Sequence, residues 1–158
     1  MKRTNYISWE DYFMGIALLS AKRSKDPSTQ VGACIVNQDN KIIGIGYNGF
    51  PVGISDDEFP WDKNNENELD NKYLYVCHAE LNAILNSISD LKDARIYVTL
   101  FPCNECSKII IQSGIKEIIY LDEKGEESIS EVASKKLLDA ANIKYKKIKI
   151  NKEILCVE

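Results

Sequence analysis

The sequence predicts an α/β fold of three layers (α/β/α), in which helices cover both faces of a mixed sheet of about five strands. Two observations support this prediction. The stretch "QVGACIVNQDNKIIGIGYNG" holds two short apolar runs around the polar turn "NQDN", which is typical of a β-hairpin. After residue 75 the chain alternates helical and strand patterns, which favours neighbouring strands joined by crossover helices.

The first predicted helix runs from Ser8 to about Arg23. It begins with the capping pattern "SWED" and ends ahead of Asp26-Pro27. Apolar side chains recur along it at helical spacing, namely Trp9, Tyr12, Phe13, Ile16 and Leu19. The hairpin that follows carries glycines that indicate close backbone approach around the end of its second strand, at positions 44, 46, 49 and 53.

The second half of the chain supplies the remaining elements. Helices are predicted over about His78 to Ser89, Pro102 to Ser113 and Ser130 to Ala141, and Gly114 suits the cap that ends the second of these. The predicted strands are "ARIYVTL", "KEIIYL" and "IKYKKIKI", and the last of them has a solvated lysine face.

Residues 50–74 form a long acidic loop between the two halves. Loops of this length in a small domain are usually either functional or disordered. Phe59, Trp61 and Leu69 give this loop apolar side chains to pack, so we expect it to be ordered. The whole chain, residues 1–158, is predicted to be a single domain.

Length, charge and cysteine content limit the classes of function. The formal net charge of −4 does not favour a nucleic-acid binder, which usually carries a basic surface. No apolar run approaches the ~20 residues that span a bilayer, and the N-terminus lacks the apolar segment of a signal peptide. An odd count of five cysteines argues against a disulfide framework. We therefore expect a cytoplasmic protein with reduced thiols and no membrane partner.

Three residues in two segments have the chemistry of a metal site. His78, the only histidine, lies in "YVCHAELNAI", and Cys103 and Cys106 form a C-x-x-C in "FPCNEC". Both segments begin predicted helices, whose positive N-terminal ends favour thiolate over thiol. Three protein ligands leave the fourth tetrahedral position of zinc to water, which is typical of catalytic sites. The sequence therefore predicts one catalytic Zn²⁺ per chain.

Glu80 supplies the acid–base group that such a site requires. From the first turn of its helix, its carboxylate can take a proton from the water and return it to a substrate nitrogen. The pattern "HAE" followed by "PCNEC" is the signature of zinc nucleobase deaminases. Taken separately, a C-x-x-C is also typical of a redox pair, and a lone histidine of a packed or surface residue. The other cysteines are interpreted as structural: Cys34, Cys77 and Cys156.

Over nearly its whole length the sequence resembles the deoxycytidylate (dCMP) deaminases of the eukaryotic and viral type. The similarity runs from "WEDYFMGIALLSAKRSKDPSTQVGACIV" through "GIGYNGFPVGISDDEFPW" and "YVCHAELNAI" to "YVTLFPCNECSKIIIQSGIKEIIY". The resemblance implies a cytidine deaminase-like fold and hydrolysis of dCMP to dUMP and ammonia, which feeds thymidylate synthesis. It also implies a homohexamer that dCTP activates and dTTP inhibits, with Mg²⁺ accompanying the nucleotide effector.

The same resemblance assigns roles to individual residues. It makes His78, Cys103 and Cys106 the zinc ligands and Glu80 the proton shuttle. Substrate contacts are expected at Asn48 (sugar hydroxyl), Arg23 (phosphate) and Ala79 (close approach to the base). From the sequence alone, Asn48 also suits a turn and Arg23 a solvated helix end.

Two departures from the family pattern bear on the substrate and the effectors. After "IIYL" bacterial relatives tend to carry a Tyr-Arg pair near the substrate. This chain has "DEKGEE" there, so that Lys124 is the nearest cation and Gly125 replaces an aromatic residue. Asp62-Lys63 also stand where a vertebrate-like sequence would be more basic. Deamination of dCTP besides or instead of dCMP therefore remains an alternative, as does a changed effector response.

Two further functions could use the same zinc motif. One is a cytidine or adenosine deaminase of nucleic acids that acts on a flipped base, which the acidic charge and the acidic loop disfavour. The other is a catalytically silent nucleotide sensor that zinc stabilises. A purely structural site has no use for a proton shuttle, so Glu80 argues against the sensor.

Overall fold

The computed structural model describes residues 1–124, 128–151 and 153, and its centre is a five-stranded mixed sheet. The strand order is β2-β1-β3-β4-β5. β1 pairs antiparallel with both β2 and β3, whereas β3, β4 and β5 run parallel. The strands comprise β1 (Gly32–Val36), β2 (Ile42–Tyr47), β3 (Arg95–Leu100), β4 (Glu117–Asp122) and β5 (Lys144–Lys147).

Helices cover both faces of this sheet, as the sequence predicts. On one face α1 packs through Phe13, Met14 and Ala17 against Cys34 and Tyr97 of the strands. The opposite face carries the larger apolar core, which includes buried side chains of the other three helices. The helices comprise α1 (Trp9–Ala21), α2 (Ala79–Leu85), α3 (Asn104–Ser113) and α4 (Ile129–Ala140). The predicted three-layer α/β/α architecture is therefore confirmed.

Helix α1 begins where the capping pattern predicts. The Ser8 hydroxyl accepts a hydrogen bond from the Asp11 amide at 3.0 Å, which satisfies one of the free donors of the first turn. Its apolar residues divide between two sides, because Phe13 is fully buried while Leu19, six positions further on, is 61% exposed. Periodicity thus identifies the helix but not the side that packs on the sheet.

Two glycines of β2 allow α2 to lie directly against the strand. A Cβ atom at Gly46 would stand 2.3 Å from the Ala83 nitrogen and 2.4 Å from the Ala79 oxygen, and one at Gly44 would stand 2.6 Å from the Ala83 oxygen. The predicted close approach is correct at these two positions. It is wrong at Gly49 and Gly53, where an added Cβ would meet nothing within 4 Å.

The structure moves the end of α2 and the start of α3 from their predicted positions and agrees with the predicted end of α3. α2 ends at Leu85 rather than near Ser89, and the Ser87 hydroxyl bonds to the Ala83 carbonyl just beyond it. α3 starts at Asn104 because Cys103, not Pro102, occupies the capping position. Gly114 ends α3 with a φ of 86°, a left-handed conformation that favours glycine, as predicted.

The long loop folds over a group of aromatic side chains. Phe50 lies against Trp61 with ring centroids 4.2 Å apart, and Phe59 lies edge-on to Tyr75 at 5.0 Å. Leu69 does not join them, since it is 64% exposed. Two short 3₁₀ turns, Glu68–Asp70 and Lys72–Leu74, lead the chain toward α2. In the part of the chain that the structure describes, no helix is both long and apolar enough to cross a membrane.

Candidate metal centre and active-site pocket

The structure brings the three predicted metal ligands together at the starts of two helices. His78 occupies the capping position of α2 and Cys103 that of α3, with Cys106 in the first turn of α3. His78 Nδ1 lies 3.4 Å from each of the two sulfur atoms. One donor atom from each of the three residues lies within 4.8 Å of the others. Within residues 1–124, 128–151 and 153 no other group of three such side chains is this close.

Contacts outside the cluster fix the segment that carries His78. Cys77 and Gly49 exchange backbone hydrogen bonds of 2.8 and 3.1 Å, which we call the Gly49–Cys77 bridge. This bridge holds the residue before His78 against the chain that leaves β2. The close contact of Gly46 with Ala79 fixes the residue after it. Cys77 therefore contributes its backbone and is not one of the three clustered residues.

Helix α4 anchors the segment that carries the cysteines. The Ser134 hydroxyl donates to the Pro102 carbonyl at 3.0 Å, and the Asn104 amide donates to the Ser130 hydroxyl at 3.3 Å. The Cys106 amide points at Cys103 Sγ from 3.4 Å, so that this sulfur caps the helix. A sulfur that accepts from the backbone amides of a helix start is stabilised as thiolate.

Hydrogen bonding within the cluster determines its charges. The contacts with Cys106 and His78 lower the pKa of Cys103 to about 4, although burial opposes the shift. The contact with Cys103 together with burial raises the pKa of Cys106 well above its usual range, and the contact with Cys103 also raises the pKa of His78. Cys103 is therefore the more acidic of the two thiols and Cys106 the less acidic.

These three side chains suit a zinc ion. Zn²⁺ prefers nitrogen and thiolate donors in a tetrahedral set, and its charge removes the obstacle to ionising both sulfurs. Three donors leave one tetrahedral position for another ligand, as the sequence predicts for a catalytic site. The structural interpretation of Cys34 also fits, because this thiol is fully buried and its burial raises its pKa to about 12.

Glu80 lies in the first turn of α2 and is 4% exposed. Its carboxyl group lines the same pocket as His78 and Cys103. Burial raises the pKa of Glu80, and the charge of His78 opposes that rise. A buried carboxyl group whose pKa is raised holds a proton more readily, and general acid–base chemistry requires a group that can both accept and return one.

The pocket beside the cluster comprises about 640 Å³ of space, which includes solvent at its open mouth. Apolar side chains such as Val31, Val76 and Phe101 form part of its wall. Polar and charged residues converge on the same space, namely Asp26, Thr29, Asn48, Lys72, Glu80 and Lys124. The pocket therefore combines the metal cluster with groups that can bind a polar ligand.

Asn48 and Ala79, for which the sequence predicts substrate contacts, both line this pocket. The Asn48 side chain is 6% exposed overall and accepts a hydrogen bond from the Val31 amide at 2.8 Å through Oδ1. Its Nδ2 donates to the Thr29 carbonyl at 2.9 Å. These bonds hold the amide group in one orientation.

The structure separates Arg23 from the main pocket. Arg23 lines a second pocket of about 500 Å³ and lies over the Tyr47 ring, 5.9 Å from its centroid. Asn48 lines both pockets and so stands between them. Lys124, another predicted substrate contact, lines the main pocket, whereas Gly125 and Cys156 lie outside the described residues.

Sequence reasoning missed the ion pair between Lys72 and Asp26, two residues of the main pocket. They stand 46 positions apart, in the long loop and in the turn after α1, so no local spacing connects them. One of two lysines in a mainly acidic loop and an aspartate before proline were the only signals that the sequence offered.

Comparison with known proteins agrees with this site. Residues 7–122 match the family model described as the cytidine and deoxycytidylate deaminase zinc-binding region. Deoxycytidylate deaminase of Homo sapiens is 57% identical over 147 residues, and that of Mus musculus is 58% identical over 147 residues. Each alignment covers 92% of this chain and 83% of the relative.

A solved structure shares the fold. The dCMP deaminase of cyanophage S-TIM5, in complex with dCMP and dUMP, superposes with a TM-score of 0.72 at 26% sequence identity. The match covers 90% of this chain and the whole of the phage chain. Since the family model spans most of the chain, and its zinc-binding region contains the His78, Cys103 and Cys106 cluster, the chain belongs to the cytidine and deoxycytidylate deaminase family.

Proposed function

We propose that this protein is a dCMP deaminase, which hydrolyses dCMP to dUMP and ammonia and so supplies dUMP for dTMP synthesis. The observation that carries the proposal is the position of buried Glu80 beside the His78, Cys103 and Cys106 cluster, in one pocket with Asn48. The relatives described above, whose names state this activity, support the same substrate. The functional unit is a single deaminase domain over residues 1–158.

His78, Cys103 and Cys106 are the proposed zinc ligands. When bound, zinc would lower the pKa of a water molecule so that hydroxide is available near neutral pH. The two cysteines would contribute negative charge that balances the ion: the start of α3 favours the Cys103 thiolate, and the charge of the ion would favour ionisation of Cys106.

Glu80 is the proposed general acid–base. Its carboxylate accepts the proton of the attacking water and delivers it to N3 of the cytosine ring. After attack at C4, Glu80 takes the proton of the new C4 hydroxyl and transfers it to the amino group, which leaves as ammonia as the C4 carbonyl forms, and the carboxylate is regenerated. Burial of Glu80 keeps bulk water from intercepting the proton between these steps.

The remaining residues of the pocket bind the nucleotide. Ala79 has no bulky side chain, so the base can lie close to the α2 backbone. Asn48 Oδ1 retains one free lone pair, which is suited to accept a hydrogen bond from a sugar hydroxyl. Lys124 supplies a cation for the phosphate, whereas Arg23 faces the second pocket.

The second pocket supports regulation by nucleotides. Arg23 and Lys25 line it, with Lys25 paired to Asp56 of the same pocket, so Arg23 is the cation that suits a nucleotide phosphate, and Asn48 connects it to the main pocket. Binding there can therefore alter the residue that contacts the substrate sugar. In this proposal dCTP activates and dTTP inhibits, each accompanied by Mg²⁺.

The proposal also includes a homohexamer in the cytoplasm. β2 is an edge strand, and the exposed apolar residues Tyr47, Leu85 and Ile88 lie on β2 and at the end of α2. Such exposed groups favour contact with further copies of the chain. The clustered thiols require a reducing compartment, which the cytosol provides.

A substrate panel tests the function directly. Purified zinc-loaded protein is assayed for ammonia release from deoxycytidine, dCMP, dCTP and CMP, and from single-stranded DNA and tRNA. We expect dCMP to give the highest kcat/KM, with sigmoidal kinetics that dCTP makes hyperbolic. Turnover of DNA or tRNA without turnover of dCMP would refute the proposal, and indifference to dCTP and dTTP would remove the regulatory part.

A further inference from the structure

A buried ion pair in the wall of the main pocket has no part in the proposed chemistry. Lys72 Nζ contacts Asp26 Oδ2, and the two side chains are only 4% and 2% exposed. Burial opposes the ionisation of Asp26, but the hydrogen bonds from Lys72, Ser28 and Thr29 outweigh it and hold its pKa below the usual value. The carboxylate is therefore charged at neutral pH.

Stability alone does not account for such a pair. Removing two charges from water costs several kcal/mol per ion, and apolar residues of similar volume often stabilise a protein as well or better. A buried pair that also orients neighbouring groups has a further use. The group that Asp26 contacts in this way is the Asn48 side chain.

Asp26 holds Asn48 by two routes. Its Oδ1 accepts hydrogen bonds from the Ser28 and Thr29 amides at 2.8 and 3.2 Å, which shapes the turn whose Thr29 carbonyl receives Asn48 Nδ2 at 2.9 Å. Its Oδ2 also lies 3.4 Å from Asn48 Nδ2. Asp26 therefore positions the Thr29 carbonyl and supplies its own Oδ2, the two oxygen atoms that Asn48 Nδ2 faces.

The hydrogen bonds of Asn48 leave its side chain one acceptor position for a ligand. Both hydrogens of Nδ2 are directed at Thr29 and Asp26, and one lone pair of Oδ1 accepts from Val31. Only the second lone pair of Oδ1 remains, and its direction depends on all of these contacts. A change that rotates the Asn48 amide would remove this acceptor from the pocket.

Lys72 connects this network to the long loop. Its amide donates to the Asp62 carbonyl at 2.9 Å, and its carbonyl accepts from the Tyr75 and Val76 amides at 2.9 and 3.0 Å. The Lys72 backbone therefore belongs to the loop, while its ammonium reaches Asp26 in the turn after α1. The loop and the Asn48 amide are linked through one side chain.

We propose that Lys72 is a positioning residue that acts through Asp26 to hold Asn48 in the orientation that recognises the 3′-hydroxyl of the nucleotide sugar. This inference rests on the proposed function and extends it, because it makes sugar selectivity depend on a residue of the long loop.

The test compares two substrates that differ only in this hydroxyl, dCMP and 2′,3′-dideoxycytidine monophosphate. Lys72→Met is expected to raise KM for dCMP at least 10-fold and to leave kcat, and KM for the dideoxy nucleotide, within about two-fold. The preference for dCMP should then fall about 10-fold, equivalent to about 1.4 kcal/mol. Lys72→Arg should retain the preference, and Lys63→Met, a change in the same loop away from the main pocket, should leave it unchanged.

A double-mutant cycle with Asn48→Ala distinguishes a lysine that positions Asn48 from one that only stabilises the fold. Asn48→Ala alone should lower the preference to the same extent, and Lys72→Met should lower it no further in that background. If Lys72→Met leaves an uncompensated carboxylate that prevents folding, Lys72→Met with Asp26→Asn restores neutrality. In that double variant the amide introduced at position 26 faces the Asn48 amide donor to donor, so the preference should still be lost.

Each contrary result has a separate meaning. A folded Lys72→Met protein with the wild-type preference overturns the inference and leaves the proposed function intact. An equal rise in KM for both nucleotides also overturns it, because Lys72 would then contact the phosphate itself. Wild-type protein that neither deaminates nor binds dCMP, measured by calorimetry, overturns the proposed function and the inference with it.

Discussion

The two ends of the main pocket are built in opposite ways. At the metal end, His78, Cys103 and Cys106 lie at the starts of two helices, and each belongs to a short sequence motif. At the other end, Asp26, Asn48 and Lys72 come from three separate connecting segments and are held by side-chain contacts. Backbone geometry positions the first set, and a buried polar network positions the second.

This difference separates chemistry from selectivity. Helix starts are rigid and orient their side chains in nearly the same way in every member of a fold, which suits metal ligands and a proton shuttle. A network carried by loops can change with few substitutions, which suits recognition of different ligands. Mutations at the metal end should therefore lower turnover, whereas mutations at the other end should change the preference among ligands.

The largest effect is expected from losing a proposed metal ligand. Cys106→Ser should lower the bound zinc well below one ion per chain and reduce turnover in proportion, because a hydroxyl is a far poorer zinc ligand than a thiolate. Zinc content by atomic absorption and ammonia release check this together. Cys77→Ser is the matched control, and the assignment is wrong if this control loses zinc while Cys106→Ser keeps it.

Glu80→Gln should separate turnover from metal binding. The amide cannot shuttle a proton, so kcat should fall by about 10²–10⁴-fold while zinc content and Tm stay close to wild type. Glu105→Gln, an exposed position in the first turn of α3, controls for the loss of a charge near the site. Turnover of the Glu80 variant near the wild-type rate would disprove its role as general acid–base.

Gly46→Ala tests whether the metal end depends on backbone packing. The added methyl group would meet Ala83 and Ala79 backbone atoms at 2.3 and 2.4 Å, so α2 must shift. We expect a loss of about 1–3 kcal/mol in the free energy of unfolding, measured in urea. Gly49→Ala, where the methyl group would enter open space, should change stability by less than about 0.5 kcal/mol.

Acid should weaken the end of the pocket that holds Asp26. The folded pKa of Asp26 is lower than its unfolded value, so its contribution to stability is present above about pH 4 and is lost as pH falls through the folded pKa. The stability advantage of wild type over Asp26→Asn should therefore narrow below about pH 4. Urea titrations at several pH values measure this difference in the free energy of unfolding. A difference that stays constant down to about pH 2 would contradict the charged pair.

The sequence predicted the metal end in more detail than the other end. The motifs around His78 and Cys103 place their residues at helix starts, and local rules for capping locate those starts to within about two residues. The pairing of Lys72 with Asp26 depends instead on the path of the long loop, which no periodic pattern describes. Arg23 shows the same limit, because its helix was predicted but not the pocket that it faces.

The prediction of close backbone approach from glycine was right at two positions and wrong at two others, for a physical reason. A glycine in a strand marks close approach only where a second element covers that strand, and α2 covers Gly44 and Gly46 but not the turn at Gly49. Apolar periodicity in α1 was ambiguous in the same way, since Phe13 and Leu19 lie on different sides of one helix. Both patterns require knowledge of the neighbouring element.

The hydrogen bond from the Lys72 amide to the Asp62 carbonyl, at 2.9 Å, closes an excursion of the chain through residues 63–71. Residues 64–70 in this excursion are exposed, and its two ends meet whatever its length. The entropy of closing a loop grows only slowly with added residues. An epitope or a fluorescent peptide inserted near residue 66 should therefore leave the enzyme folded, and natural variation in chain length can accumulate there without moving Lys72.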